Sequence, residues 1–114
     1  MLLPDKQRLI RIKDYCELIE STLTRFGNTY DAFISDQDFQ QSVSFSILQI
    51  GELSGNLSEE MRAATSSEMG WSQIKGMRNI VAHHYGKIDF GIVWSVATED
   101  IPKLKAFCER QLHA

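Results

Sequence analysis

The sequence predicts an all-α fold, an antiparallel bundle of four to five helices, and three observations carry that expectation. Apolar residues recur at spacings of three and four over long stretches, the 3.6-residue period of a helix face and not the alternation of a strand. Only two prolines, Pro4 and Pro102, and seven glycines interrupt the 114 residues, so long segments run unbroken. No segment shows the β-branched, period-two pattern of a strand of useful length. Hydrophobic residues at 43% and charged residues at 24% are ordinary for a globular chain, and the length fits one domain over residues 1–114.

The first helix is expected over residues 6–26, where Leu9, Ile12, Cys16, Ile19, Leu23 and Phe26 form the stripe. Ile10, Tyr15 and Leu18 are expected to widen it, as a helix inside a small bundle requires. Gly27 and Asn28 supply the stop. Residues 29–34 are long enough only for one or two helical turns. Ser35 or Asp36 can cap a second long helix, whose stripe is Phe39, Val43, Ile47, Ile50, Leu53 and Leu57, flanked by Phe45 and Leu48 on a wide buried face. Gly51 and Gly55 inside it each cost roughly 1 kcal/mol relative to Ala, which helices tolerate where another backbone comes close. A tight crossing near Gly51 is therefore expected.

Residues 58–70 are polar and carry no clear stripe, leaving room for a short capped turn. A third helix is expected from about Ser72 to Tyr85, with Gly86 as its terminator. The last begins after Asp89, a good cap, and runs through Ile92, Val93, Val96, Leu104, Phe107 and Leu112, with a kink or break at Pro102.

Composition also narrows the function. No apolar run approaches the roughly 18–20 residues a bilayer span needs, and the N-terminus lacks a signal-peptide core, so no membrane association is expected. Cys16 and Cys108 both sit in apolar helical patterns, which disfavours a disulfide framework and makes a reducing cytoplasm the expected compartment. Neither a phosphate-cradling glycine loop nor a nucleophile elbow, HExxH or CxxC is present. His83 and His84 are adjacent, and neighbouring helical side chains diverge by about 100°, so no metal site is expected there. No cofactor is implied.

Net charge is −3, from 12 Lys and Arg against 15 Asp and Glu, which disfavours broad nucleic-acid coating. The charges are not evenly spread. Trp71 to Ile88, WSQIKGMRNIVAHHYGKI, holds Lys75, Arg78 and Lys87 and no acidic residue, leaving 9 basic and 15 acidic residues elsewhere. This cationic strip also contains His83 and His84 and the aromatics Trp71 and Tyr85, so it is rich in groups that bind phosphate or move protons. Arg78, Asn79, His83 and Tyr85 read R-N-x-x-x-H-x-Y. On a continuous helix Arg78 and Tyr85 nearly share a face, while His83 is about 140° from Arg78, so a helix end or a second subunit has to complete any joint site. By spacing alone the same residues also fit a solvated arginine, a histidine on a helix dipole and a tyrosine covering the bundle.

The stretch WSQIKGMRNIVAHHYGKIDFGIVW resembles the core signature of HepT-like toxins of the HEPN superfamily, whose motif is Arg, four residues, His, any residue, Tyr. Arg78, His83 and Tyr85 match it. The flanking Trp71, Ile74, Gly76, Met77, Asn79, Ile88, Asp89, Val93 and Trp94 fit as well, and LQIGE at Leu48 to Glu52 resembles the family's middle helix. His84 departs from the acidic residue that members often carry, making the local charge more positive. The resemblance spans nearly the whole chain.

It implies an all-α HEPN bundle that dimerises so that two motif copies face one cleft. It further implies a metal-independent endoribonuclease, the toxin of a toxin–antitoxin pair, with RNA as substrate. The implied partner is a small MntA-type nucleotidyltransferase, in a hetero-oligomer, which neutralises the toxin by transferring AMP to the motif tyrosine, Tyr85. Arg78 and His83 are the implied catalytic residues. By their own chemistry Asn79 can orient His83 or meet the ribose, Tyr85 can stack on a base or bind phosphate, and Lys75 and Lys87 are candidate phosphate contacts supporting RNA binding. The alternative is a non-catalytic HEPN module that binds its nucleotidyltransferase, RNA or both; a purely structural bundle is a third possibility.

Overall fold

A computed structural model of the chain describes residues 1–82 and 88–114, and among them every regular element is helical. Helix α1 spans Leu3–Arg25, α2 Tyr30–Ser35, α3 Gln37–Gly55, α4 Glu59–Ala64, α5 Trp71–Ala82, α6 Phe90–Ser95 and α7 Ile101–Leu112. The four longer ones, α1, α3, α5 and α7, build the bundle. The short ones close its ends.

Four of the helices start at side-chain caps. Asp36 Oδ1 accepts from the backbone N–H groups of Asp38 and Phe39 at 2.9 and 3.2 Å, so Asp36 and not Ser35 opens α3. Thr29 caps α2, Ser58 caps α4 and Asp89 caps α6 through the same side-chain-to-backbone bond. After α1, Gly27 and Asn28 adopt φ of 98° and 56°, and the Asn28 N–H reaches back to the Leu23 carbonyl at 2.8 Å. That left-handed pair turns the chain.

Adjacent bundle helices run antiparallel. Asp5 near the start of α1 bonds Ser58 just beyond α3, while Phe26 past the end of α1 stacks on Phe39 in the first turn of α3 at 4.8 Å. Lys105 on α7 pairs with Glu20 on α1 at 2.9 Å. The expected stripes form the core: Leu9, Ile12, Cys16, Ile19, Phe39, Val43, Ile47 and Ile50 are fully buried, joined by Ile101, Leu104 and Phe107. Phe33, Phe39, Phe90 and Trp94 form an aromatic cluster that fastens α2 and α6 to the end of the bundle.

Three expectations need correction. Ile10 and Leu18 do not widen the buried stripe of α1; they are exposed, and Tyr15 is half-buried. Phe45 is 54% exposed and Leu48 half-buried, while the small side chains Ser44, Ser46 and Ser54 fill the flanks of the buried face of α3. The width of that face is set by how the neighbouring helices cover it, which the periodicity of α3 alone does not record. The break near Pro102 falls earlier than the proline. Val96–Asp100 forms one π-helical turn, closed by the Ile101 N–H bonding the Val96 carbonyl, and Pro102 then stands in the first turn of α7, where no N–H is needed.

The third helix begins one residue before the expected Ser72. Its expected end at Tyr85 and the Gly86 terminator lie outside the described residues.

Candidate functional site

Helix α5 is set against the bundle by Trp71, Ile74 and Met77, each at most 7% exposed. Its start is pinned: the Trp71 indole N–H donates to the Thr65 hydroxyl at 2.8 Å, and the ring meets Phe107 edge-on. With that face turned inward, Lys75 and Arg78, three residues apart, share the flank that lies along α3.

The contact with α3 is a glycine crossing. A Cβ built on Gly51 would lie 2.8 Å from the Arg78 backbone nitrogen and 2.9 Å from the Arg78 Cβ, closer than side chains pack. One turn on, the position of a Gly55 Cβ meets the aliphatic stem of Lys75 at 3.5 Å. Gly51 opposite Arg78 and Gly55 opposite Lys75 also show that α3 and α5 run antiparallel. The expected tight crossing near Gly51 is present, and the backbone it admits is that of Arg78.

The next residue along α3 brings charge to this crossing. The Glu52 carboxylate pairs with Arg78 Nε as an ion pair and hydrogen bond. Both side chains remain open to solvent, at 47% and 41% exposed. The strip expected to be purely cationic is thus partly neutralised by an acid 26 residues away in sequence. Charge counting along the chain could not include Glu52; the nearest signal was its place beside a mid-helix glycine in LQIGE.

Asn79 and Lys75 are exposed on α5. The structure therefore brings together Arg78, Lys75 and Glu52, with Asn79 beside them on the helix. His83, Tyr85 and Lys87 lie outside the described residues. Among the described residues no group of three or more His, Cys, Asp or Glu could hold a metal ion, and no helix is long and apolar enough to cross a membrane.

An antiparallel helical bundle of the HEPN type, with an arginine displayed at the crossing of its second and third long helices, defines the class. Comparison with known proteins gives the family. The family described as "Ribonuclease HepT-like" matches residues 12–111. A Thermococcus cleftensis protein named "Probable ribonuclease HepT" is 30% identical over 105 residues, covering 92% of this chain and 93% of the relative. A Methanocaldococcus jannaschii protein, "Putative RNase MJ1380", is 32% identical over 76 residues, 67% of this chain and 69% of that one. A second from that organism, "Gamma-glutamylcyclotransferase and putative RNase MJ0434", is 35% identical over 97 residues, and there the chain spans only 42% of the relative's length. No solved structure gives a significant match. The chain belongs to the ribonuclease HepT-like family.

Proposed function

We propose that this chain is an endoribonuclease toxin, one HEPN domain over residues 1–114, cleaving RNA without a metal and held in check by a nucleotidyltransferase antitoxin. The observation that carries the reading is the family match over nearly the whole chain, joined to an exposed guanidinium held at a helix crossing.

The chemistry asks little of the protein. The ribose 2′-hydroxyl attacks the adjacent phosphorus, the bond from phosphorus to the 5′-oxygen breaks, and a 2′,3′-cyclic phosphate and a 5′-hydroxyl result. A proton must leave the 2′-oxygen and another must reach the 5′-oxygen. His83 is the group for that transfer, because an unperturbed imidazole, at about 6.5, gives and takes protons near neutral pH. Arg78 holds the scissile phosphate and stabilises charge growing on its oxygens. Asn79 orients His83 or meets the ribose, Tyr85 stacks on a base or binds phosphate, and Lys75 and Lys87 contact flanking phosphates.

Two copies complete the cleft in this reading. Leu18, beside Tyr15 on α1, and Phe45, edge-on to Tyr15 at 6.5 Å, leave an apolar surface exposed. Phe45 and Glu52, seven residues apart, lie about 20° apart around α3, so that surface leads toward the Arg78 site. Along α1, Arg8 and Arg11 precede Asp14 and Glu17, and a two-fold mate in antiparallel register sets unlike charges opposite each other. These features support a homodimer with a shared cleft. An MntA-type partner that adds AMP to Tyr85 places bulk and negative charge in that cleft and so excludes RNA.

The test is cleavage of labelled RNA in EDTA by the purified protein. Arg78→Ala and His83→Ala are each expected to abolish it while melting as the parent does. Tight RNA binding by the parent with no cleavage would assign the chain to the non-catalytic alternative. Incubation with a cognate MntA-type nucleotidyltransferase and ATP is expected to add AMP mass that maps to Tyr85; mass on another residue would reject that assignment.

A further inference from the structure

We propose that Glu52 is a positioning residue for the ribonuclease reaction: its carboxylate fixes the plane of the Arg78 guanidinium so that the terminal amino groups meet the scissile phosphate. The inference rests on the ribonuclease reading of Arg78 and adds to it a residue on a different helix.

Three observations converge. Gly51 lets the backbone of α3 come against Arg78 itself, so the residue after it is delivered to the arginine by the helix crossing and not by a flexible loop. The carboxylate then takes Nε, the one guanidinium donor on the side-chain side of the plane. Because arginine's five donors form a rigid fork, fixing Nε–H fixes the direction of the other four. Both partners are about half exposed, and such a pair contributes little to stability, so holding the fold together does not account for it.

A carboxylate beside a phosphate site also has a cost, because it repels the substrate. Placed on Nε it holds the fork from its side edge, next to one terminal amino group, so orientation is gained at the cost of a negative charge close to the phosphate. Orientation and repulsion make opposite predictions when the carboxylate is removed. Loss of orientation lowers kcat, since the arginine's main work is on charge that develops in the transition state. Loss of repulsion lowers KM.

The experiment measures kcat and KM for RNA cleavage by the full chain and by Glu52→Ala and Glu52→Gln, alone and with Arg78→Lys. Glu52→Ala is expected to lower kcat about ten- to a hundred-fold while KM changes less than about three-fold. Glu52→Gln keeps an acceptor oxygen for Nε–H and is expected to recover part of that loss. With Arg78→Lys, which has no Nε–H to orient, Glu52→Ala is expected to cost much less. Unchanged kinetics, a lower KM with undiminished kcat, or an equal cost in both backgrounds would overturn the proposal. The Nε–H resonance of Arg78 in 15N-labelled protein gives a readout that needs no turnover. It is expected to move in Glu52→Ala more than in Glu52→Gln, and a resonance indifferent to both substitutions rejects the positioning contact. A parent enzyme that leaves RNA intact would reject the ribonuclease reading itself, and the resonance would still judge Glu52.

Discussion

Gly51 and Arg78 touch through their backbones: a methyl group on Gly51 would stand 2.8 Å from the Arg78 nitrogen. The neighbour is main chain, so no rotamer change can make room. Gly51→Ala is expected to push α3 from α5 and to destabilise the fold by about 1–3 kcal/mol from overpacking, against roughly 1 kcal/mol recovered from helix propensity. Gly55→Ala, facing only the Lys75 stem at 3.5 Å, is expected to be neutral or stabilising. Urea titration of the two variants checks the contrast, and equal stability of both would remove the argument for a backbone crossing.

Asp5 is 2% exposed and accepts from the Ser58 N–H at 2.9 Å and the Ser58 hydroxyl at 2.6 Å, while that hydroxyl caps α4. Burial raises the Asp5 carboxyl, but the two Ser58 bonds and the charge of Arg8 outweigh it and leave it below the usual 3.8. A carboxyl lowered on folding adds stability above its unfolded pKa, and that stability is lost as pH falls through the folded value. Asp5→Asn is therefore expected to cost about 1–3 kcal/mol at pH 7. The gap from the parent should narrow below pH 4 in denaturation measured against pH; a constant gap would remove ionisation from the account.

Cys16 and Cys108 are both fully buried and unpaired with each other as a disulfide. Burial pushes the Cys16 thiol well above its usual range, and burial pushes Cys108 up to about 12. Native protein at pH 8 is expected to resist alkylation that denatured protein undergoes at once. A thiol raised on folding adds stability below its unfolded pKa of about 8.5, lost as pH climbs through the folded value. The fold should therefore weaken above pH 9 by a component that Cys16→Ala with Cys108→Ala removes. An identical alkaline slope in parent and variant would exclude the thiols as its source.

Phe45 is exposed on α3 and in edge contact with Tyr15. Phe45→Glu places a charge in the proposed homodimer interface without opening the core. Sedimentation is expected to show a monomer in place of a dimer, with RNA cleavage reduced at least ten-fold and melting changed little. A dimer that survives both Phe45→Glu and Leu18→Glu would place the interface elsewhere.

The sequence by itself determined the helices and their phases. The stripe Leu9, Ile12, Cys16, Ile19 and Leu23, the cap Asp89, a cap at Ser35 or Asp36, and the terminator at Gly27 and Asn28 act within a few residues, so each is legible locally. The R-x4-H-x-Y motif likewise pointed to the family without any coordinates. Tertiary structure decided what stands at the edges of those stripes: it exposed Ile10, Leu18 and Phe45, and buried Ser44, Ser46 and Ser54. Helical periodicity gives the direction of the buried face, but its width depends on how closely each neighbour approaches. The same holds for charge. Glu52 joins Arg78 only because a glycine lets two helices meet backbone to backbone, a contact made between segments that no periodicity in either one records.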